Sequence, residues 1–135
     1  LYMIYAQGNP LRCTRSAPFL QIGETKYGRP ILDRGIRYDE TSLEQAVKYA
    51  IISLDSTMRS NVAVGPPIDM LVYRNDDLTI RTYRRFQPDD DGLSSVRSQW
   101  EQGLRAAIAT LPDIDFGSPG SDVENGSTCL FNRTG

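Results

Sequence analysis

An α+β fold, with helices segregated from antiparallel strands, is what the 135-residue sequence predicts from three features. Two pairs of short apolar or alternating runs, each pair joined by a polar turn, read as hairpins. Between them lies a stretch whose apolar residues recur at helical steps, and after the second pair comes another. Short connections join these elements, and two hairpins flanking a helical pair suggest helices set apart from antiparallel strands.

Composition bounds the possibilities before any motif is read. A length of 135 residues suits one domain with a real core. With 39% hydrophobic and 24% charged residues, the chain has the make-up of a globular protein. A net charge of −2 with both signs interspersed gives no basic footprint for nucleic acid or a membrane surface, and neither is expected as a partner. No apolar run approaches the roughly 20 residues of a membrane helix. The cysteines, Cys13 and Cys129, are too far apart to suggest a disulfide or metal motif, so a reducing cytoplasm is the expected location. Histidine is absent. That excludes Ser-His-Asp and Cys-His catalysis within the chain, and no metal or cofactor is expected.

The first hairpin pairs Leu1–Tyr5 with Leu11–Arg15 across Gln7-Gly8-Asn9-Pro10, with Leu11 and Cys13 alternating against Arg12 and Thr14. Gly23 then permits a tight path into a short helical segment ending near Gly35. The run Gly23-Glu24-Thr25-Lys26-Tyr27-Gly28 lacks the spacing of a phosphate loop, and close packing is the better explanation of its glycines.

Thr41 and Glu44 have capping-box spacing, and Leu43, Ala46, Val47, Ala50, Ile51 and Leu54 share one helical face behind them. The polar residues Asp55, Ser56, Thr57, Arg59 and Ser60 read as a turn after this helix. Gly65-Pro66-Pro67 forms a corner, and Ile68–Tyr73 a strand covered on both faces. A turn at Arg74–Asp77 leads to an alternating strand, Leu78–Tyr83. Asp89, Asp90 and Asp91 are adjacent and cannot converge on a metal ion, so a solvated loop is expected. The last helix runs from about Leu93 to Leu111, with Val96, Trp100, Leu104 and Ile108 facing the sheet and Pro112 ending it. Residues 1–116 form the domain. Residues 117–135 read as a Gly/Ser-rich mobile tail in which Asn125-Gly-Ser and Asn132-Arg-Thr are chance glycosylation matches.

The run from Phe19-Leu20-Gln21-Ile22-Gly23 through Ser53-Leu54-Asp55-Ser56-Thr57-Met58-Arg59 to Gly65-Pro66-Pro67-Ile68-Asp69 resembles the second half of a proteasome-type subunit. More closely it resembles the Anbu family, bacterial proteasome-like proteins regarded as relatives of an ancestral β-subunit. The resemblance covers about Leu1 to Tyr83. It implies part of an N-terminal-nucleophile hydrolase, an αββα four-layer sandwich that assembles into rings or helical arrays and cleaves peptides or unfolded proteins. The family's nucleophile is an N-terminal threonine, and the free α-amine, with an ordinary pKa of about 8, acts as base without histidine.

Leu1 carries no such nucleophile, so this stretch is expected to be the C-terminal portion of a subunit, inactive by itself. By the same resemblance Asp55 matches the aspartate that orients the terminal amine, assisted by Ser60 or Ser56. Gly23, Glu24 and Thr25 match the loop on the oxyanion side. A plain turn residue bonding nearby backbone is the alternative for Asp55, and a non-catalytic structural or binding subunit is the alternative for the whole.

Overall fold

The computed structural model describes residues 1–117. The predicted tail beyond that point, with Cys129 and both glycosylation-like matches, lies outside the described residues. The element order is β1 (Tyr2–Ile4), β2 (Pro10–Arg12), α1 (Arg29–Gly35), α2 (Leu43–Ser60), β3 (Ile68–Val72), β4 (Thr82–Phe86) and α3 (Asp91–Ala109). Two antiparallel hairpins and three helices make up the mixed α/β architecture.

In the first hairpin Met3 sits opposite Leu11, with Gly8 at φ 85° in the connecting turn. The register of the second hairpin is set by burial. Ile68 pairs with Phe86, Met70 with Arg84 and Val72 with Thr82. Phe86 enters the core beside Ile51 and Leu93, while Ile68, Met70, Val47 and Val96 pack around them. This corrects two expectations. The partner of β3 begins at Thr82 because the Leu78–Tyr83 alternation brings no side chain into the core; Asp76 and Leu78 have positive φ and prolong the turn. Moreover β3 is covered on one face only: Ile68, Met70 and Val72 are half-buried, whereas Leu71 is exposed. One layer of helix lies against this sheet, so its outward positions stay open.

Helix α2 begins one residue later than the capping spacing suggests. Ser42 is the cap: its hydroxyl accepts from the Gln45 N–H (3.2 Å), and the Gln45 side chain accepts from the Ser42 N–H (2.9 Å). Thr41 instead accepts from the Arg37 N–H (2.8 Å), tying the α1–α2 connection together. The helix then runs on to Ser60, so the residues read as a turn form its last turn and a half. None of Asp55, Ser56, Thr57, Arg59 and Ser60 breaks a helix, and Asp55 and Arg59 pair at i,i+4. The first strong breakers are Gly65, Pro66 and Pro67.

Asp90 begins α3 by accepting from the Leu93 N–H (2.9 Å), and its carboxylate also pairs with Arg84 (2.9 Å). These donors hold its pKa below the ordinary carboxylate value, the backbone hydrogen bond being the larger cause. A lowered folded-state pKa means that the contribution is present above the unfolded value and is lost as pH falls through the folded one. Asp90→Asn is therefore expected to lower the urea midpoint at pH 7, with the gap from wild type closing as pH falls through the lowered folded-state value. A gap that persists unchanged into acid counts against the pairing.

The lower half of α3 departs from expectation. Leu93 is 2% exposed and Trp100 half-buried, but Leu104 is 48% and Ile108 61% exposed. Nineteen helical residues extend roughly 28 Å, against roughly 17 Å for five strand residues. Past Trp100 the helix has outrun the hairpin beneath it.

Candidate active-site wall

Three sides of α2 do different work, and each follows from the helical period. Toward α1 it presents Tyr49, Ser53 and Thr57, four residues apart. Ser53 and Thr57 are buried, and the Thr57 hydroxyl satisfies itself on the Ser53 carbonyl at 2.9 Å. Small residues let the two helices approach. A Cβ on Gly28 would lie 2.3 Å from Ser53 Oγ and 2.6 Å from the Ser53 carbonyl oxygen, and one on Gly35 would meet the Tyr49 ring at 2.0 Å. Toward the hairpin and α3 it presents Val47, Ile51 and Asp55. Between these sides Leu43, Ala46, Ala50 and Leu54 line an open cleft against β3 of about 650 Å3.

Asp55 is 4% exposed. One carboxylate oxygen accepts from Arg59 Nε at 3.0 Å, and the other accepts from Arg97 Nε on α3. Arg59 in turn donates to Glu101, also on α3. Two carboxylates and two guanidiniums thus alternate across the α2–α3 contact. The Asp55 hydrogen bond and charge hold the Arg59 guanidinium above its ordinary pKa. An ionised carboxylate offers about four acceptor positions. Two of them are taken, and the carboxylate borders a recess of about 280 Å3 lined by Asp55, Met58, Arg59 and Arg97.

The predicted serines are not brought to this point. At about 100° per residue, Ser56 is turned about 100° and Ser60 about 140° from Asp55 around the helix. Both lie on the α1 side, Ser56 half-buried and Ser60 exposed. The Gly23–Thr25 loop also belongs to that side. Gly23 has φ 80°, and the loop leads into α1 through the Arg29 N–H donating to the Thr25 carbonyl (3.1 Å). Within the loop, Glu24 accepts from the Lys26 N–H (2.9 Å) through its side chain and from Gln21 Nε2 (3.3 Å) through its carbonyl. The Lys26 N–H is therefore spent inside the loop. Gln21 Oε1 is buried with no partner among the described residues.

Sequence reasoning missed Ser53, Thr57, Gln21, Arg97 and Glu101. For Ser53 and Thr57 the i,i+4 spacing was the available signal, but an early helix end concealed it. Among the described residues no group of His, Cys, Asp or Glu is placed to hold a metal ion, and no helix is long and apolar enough to cross a membrane.

No protein-family model and no curated protein matches the sequence. Solved structures do. A Gly-1 mutant of Anbu from Hyphomicrobium sp. strain MC1 is 39% identical, with a TM-score of 0.80 over 84% of this chain and 50% of its own. Anbu (ancestral beta-subunit) from Yersinia bercovieri is 42% identical, with a TM-score of 0.80 over 86% and 49%. The helical assembly of the Anbu complex from Pseudomonas aeruginosa is 46% identical, with a TM-score of 0.77 over 85% and 47%. Fold and sequence together are similar to those of proteasome-like subunits over the part that the chain matches. More narrowly, over most of its length the chain is similar to Anbu, the ancestral proteasome β-subunit proteins. It spans about half the length of the structures it matches.

Proposed function

We propose that the chain contributes one wall of the active site in a threonine-type peptidase subunit of the Anbu kind, built as an N-terminal-nucleophile four-layer sandwich. Identity of 39–46% over most of the chain supports this reading more than any single side chain does. In it Asp55, held between two guanidiniums, offers its remaining acceptor positions to the terminal α-amine through the neighbouring recess, orienting the base that activates the threonine. Ser56 and Ser60 serve from the α1 side together with the Gly23-Glu24-Thr25 loop. The substrate class is peptides or unfolded protein, handled in the cytoplasm without metal or cofactor.

The test uses the complete, assembled subunit with fluorogenic peptides and a covalent inhibitor directed at N-terminal threonine. Turnover abolished by stoichiometric inhibitor is expected. An assembly that neither cleaves peptides nor reacts with the inhibitor overturns the peptidase reading.

A second reading is favoured by one observation: both Asp55 oxygens are already bonded to arginines. On that reading Asp55 only locks helices together, and the subunit is a structural or binding component.

Self-association belongs to both readings. Leu71, Ile80, Leu104 and Ile108 are large, apolar and exposed, and the α2–β3 cleft is open. One of the similar structures is a helical assembly of the Anbu complex. Sedimentation at micromolar concentration is expected to show species larger than one chain. A single, cooperatively unfolding monomer peak is the contrary outcome.

A further inference from the structure

We infer that Arg97 is a positioning residue for the candidate site: from α3 it fixes the aim of the Asp55 carboxylate. The inference rests on the reading that Asp55 serves the peptidase. Asp55 is fastened to its own helix by Arg59, an i,i+4 partner that is half exposed. That bond alone leaves the carboxylate free to rotate about its side chain. The Arg97 bond comes from a different helix, 42 positions along the chain, and takes the other oxygen. With one guanidinium on each oxygen, the plane of the carboxylate is defined and its two unused acceptor positions acquire fixed directions.

Arg97 has the burial that this role needs. Its side chain is 33% exposed, less than Arg59 at 51%, so its bond to Asp55 is the better shielded from solvent. Glu101, one helical turn further along α3, pairs with Arg59 and ties the two helices together a second time. Where α3 sits therefore decides where Asp55 points. Leu93 anchors the start of the helix in the core, and Arg97 follows four residues later on the same side. A carboxylate that is misaimed by even about 1 Å costs on the order of 10²-fold in reaction rate.

The experiment compares Arg97→Gln, Arg97→Lys and Asp55→Asn, with the Arg97→Gln/Asp55→Asn double variant, in the complete assembled subunit. Peptide kcat, KM and the urea midpoint are measured for each. Arg97→Gln is expected to lower kcat about 10–100-fold with KM within about a factor of two. Arg97→Lys, which keeps the charge, is expected to recover most of that loss. In the Asp55→Asn background, Arg97→Gln is expected to cost no further kcat, because it acts only through the carboxylate.

Arg97→Gln with a lowered urea midpoint but wild-type kcat makes the contact a structural lock and overturns the inference alone. Multiplicative losses in the double variant do the same. An Asp55→Asn variant with wild-type kcat overturns instead the reading on which the inference stands. A wild-type assembly that cleaves no peptide removes both.

Discussion

Asp55→Asn is expected to destabilise the protein by about 2–3 kcal/mol and, on the peptidase reading proposed above, to lower turnover about 10²–10⁴-fold. The stability figure follows from the partners. Removing one member of a fully buried pair costs about 3–5 kcal/mol because a charge is left uncompensated. Here the carboxylate is buried, but Arg59 and Arg97 are 51% and 33% exposed and regain water when it is neutralised. The loss therefore falls below the fully buried range. It remains above that of an exposed i,i+4 pair, about 0.3–0.5 kcal/mol, because the carboxylate itself is buried. A domain of this size, commonly stable by about 5–15 kcal/mol, still folds with the substitution. Urea unfolding gives the first quantity and initial-rate peptide hydrolysis of the assembled protein the second. A midpoint like wild type means that the α2–α3 ion pairs are incidental. A lowered midpoint with undiminished turnover assigns Asp55 to structure alone.

Local signals carried much of the architecture. The first hairpin, the short helix ending at Gly35, the apolar face of α2 and the stop after α3 all follow from turn residues, breakers and the 3.6-residue period. Tertiary choices did not show. Thr41–Glu44 and Ser42–Gln45 have the same spacing, and only the Thr41 bond to Arg37 decides which pair caps the helix. Leu78 and Ile80 alternate as a strand should, but the core recruited Phe86, shifting the register along the chain. In α3 the apolar stripe through Trp100, Leu104 and Ile108 continues past the sheet that would cover it. The candidate site divides in the same way. Asp55 and Arg59 have i,i+4 spacing that reading these residues as a turn concealed, whereas Arg97 and Glu101 come from a distant helix and have no local signature.

Gly28→Ala is expected to destabilise the fold by about 2–3 kcal/mol, the upper part of the range for overpacking. Its backbone is ordinary, with φ −91° and ψ −35°, so any residue fits the conformation and only space forbids a side chain. In the unfolded chain alanine is the better choice, by about 0.4–1 kcal/mol, because it has less freedom to lose. The contact outweighs this. The Ser53 hydroxyl at 2.3 Å from the new methyl can rotate away, but the Ser53 carbonyl at 2.6 Å belongs to the α2 backbone and already accepts the Thr57 hydroxyl. Relief therefore requires α1 to back away from α2. Ser53→Ala in the Gly28→Ala background is expected to restore less than half of the loss, since the carbonyl remains. Recovery of full stability would place the clash in the hydroxyl and leave the helix spacing adjustable. The same shift reaches the site: the Gly23–Thr25 loop hangs on the start of α1 through the Arg29 N–H, so displacing α1 moves the loop relative to Ser53 and Thr57. On the peptidase reading, turnover of Gly28→Ala in the complete assembled subunit, measured well below its melting temperature, should fall by more than the folded fraction accounts for.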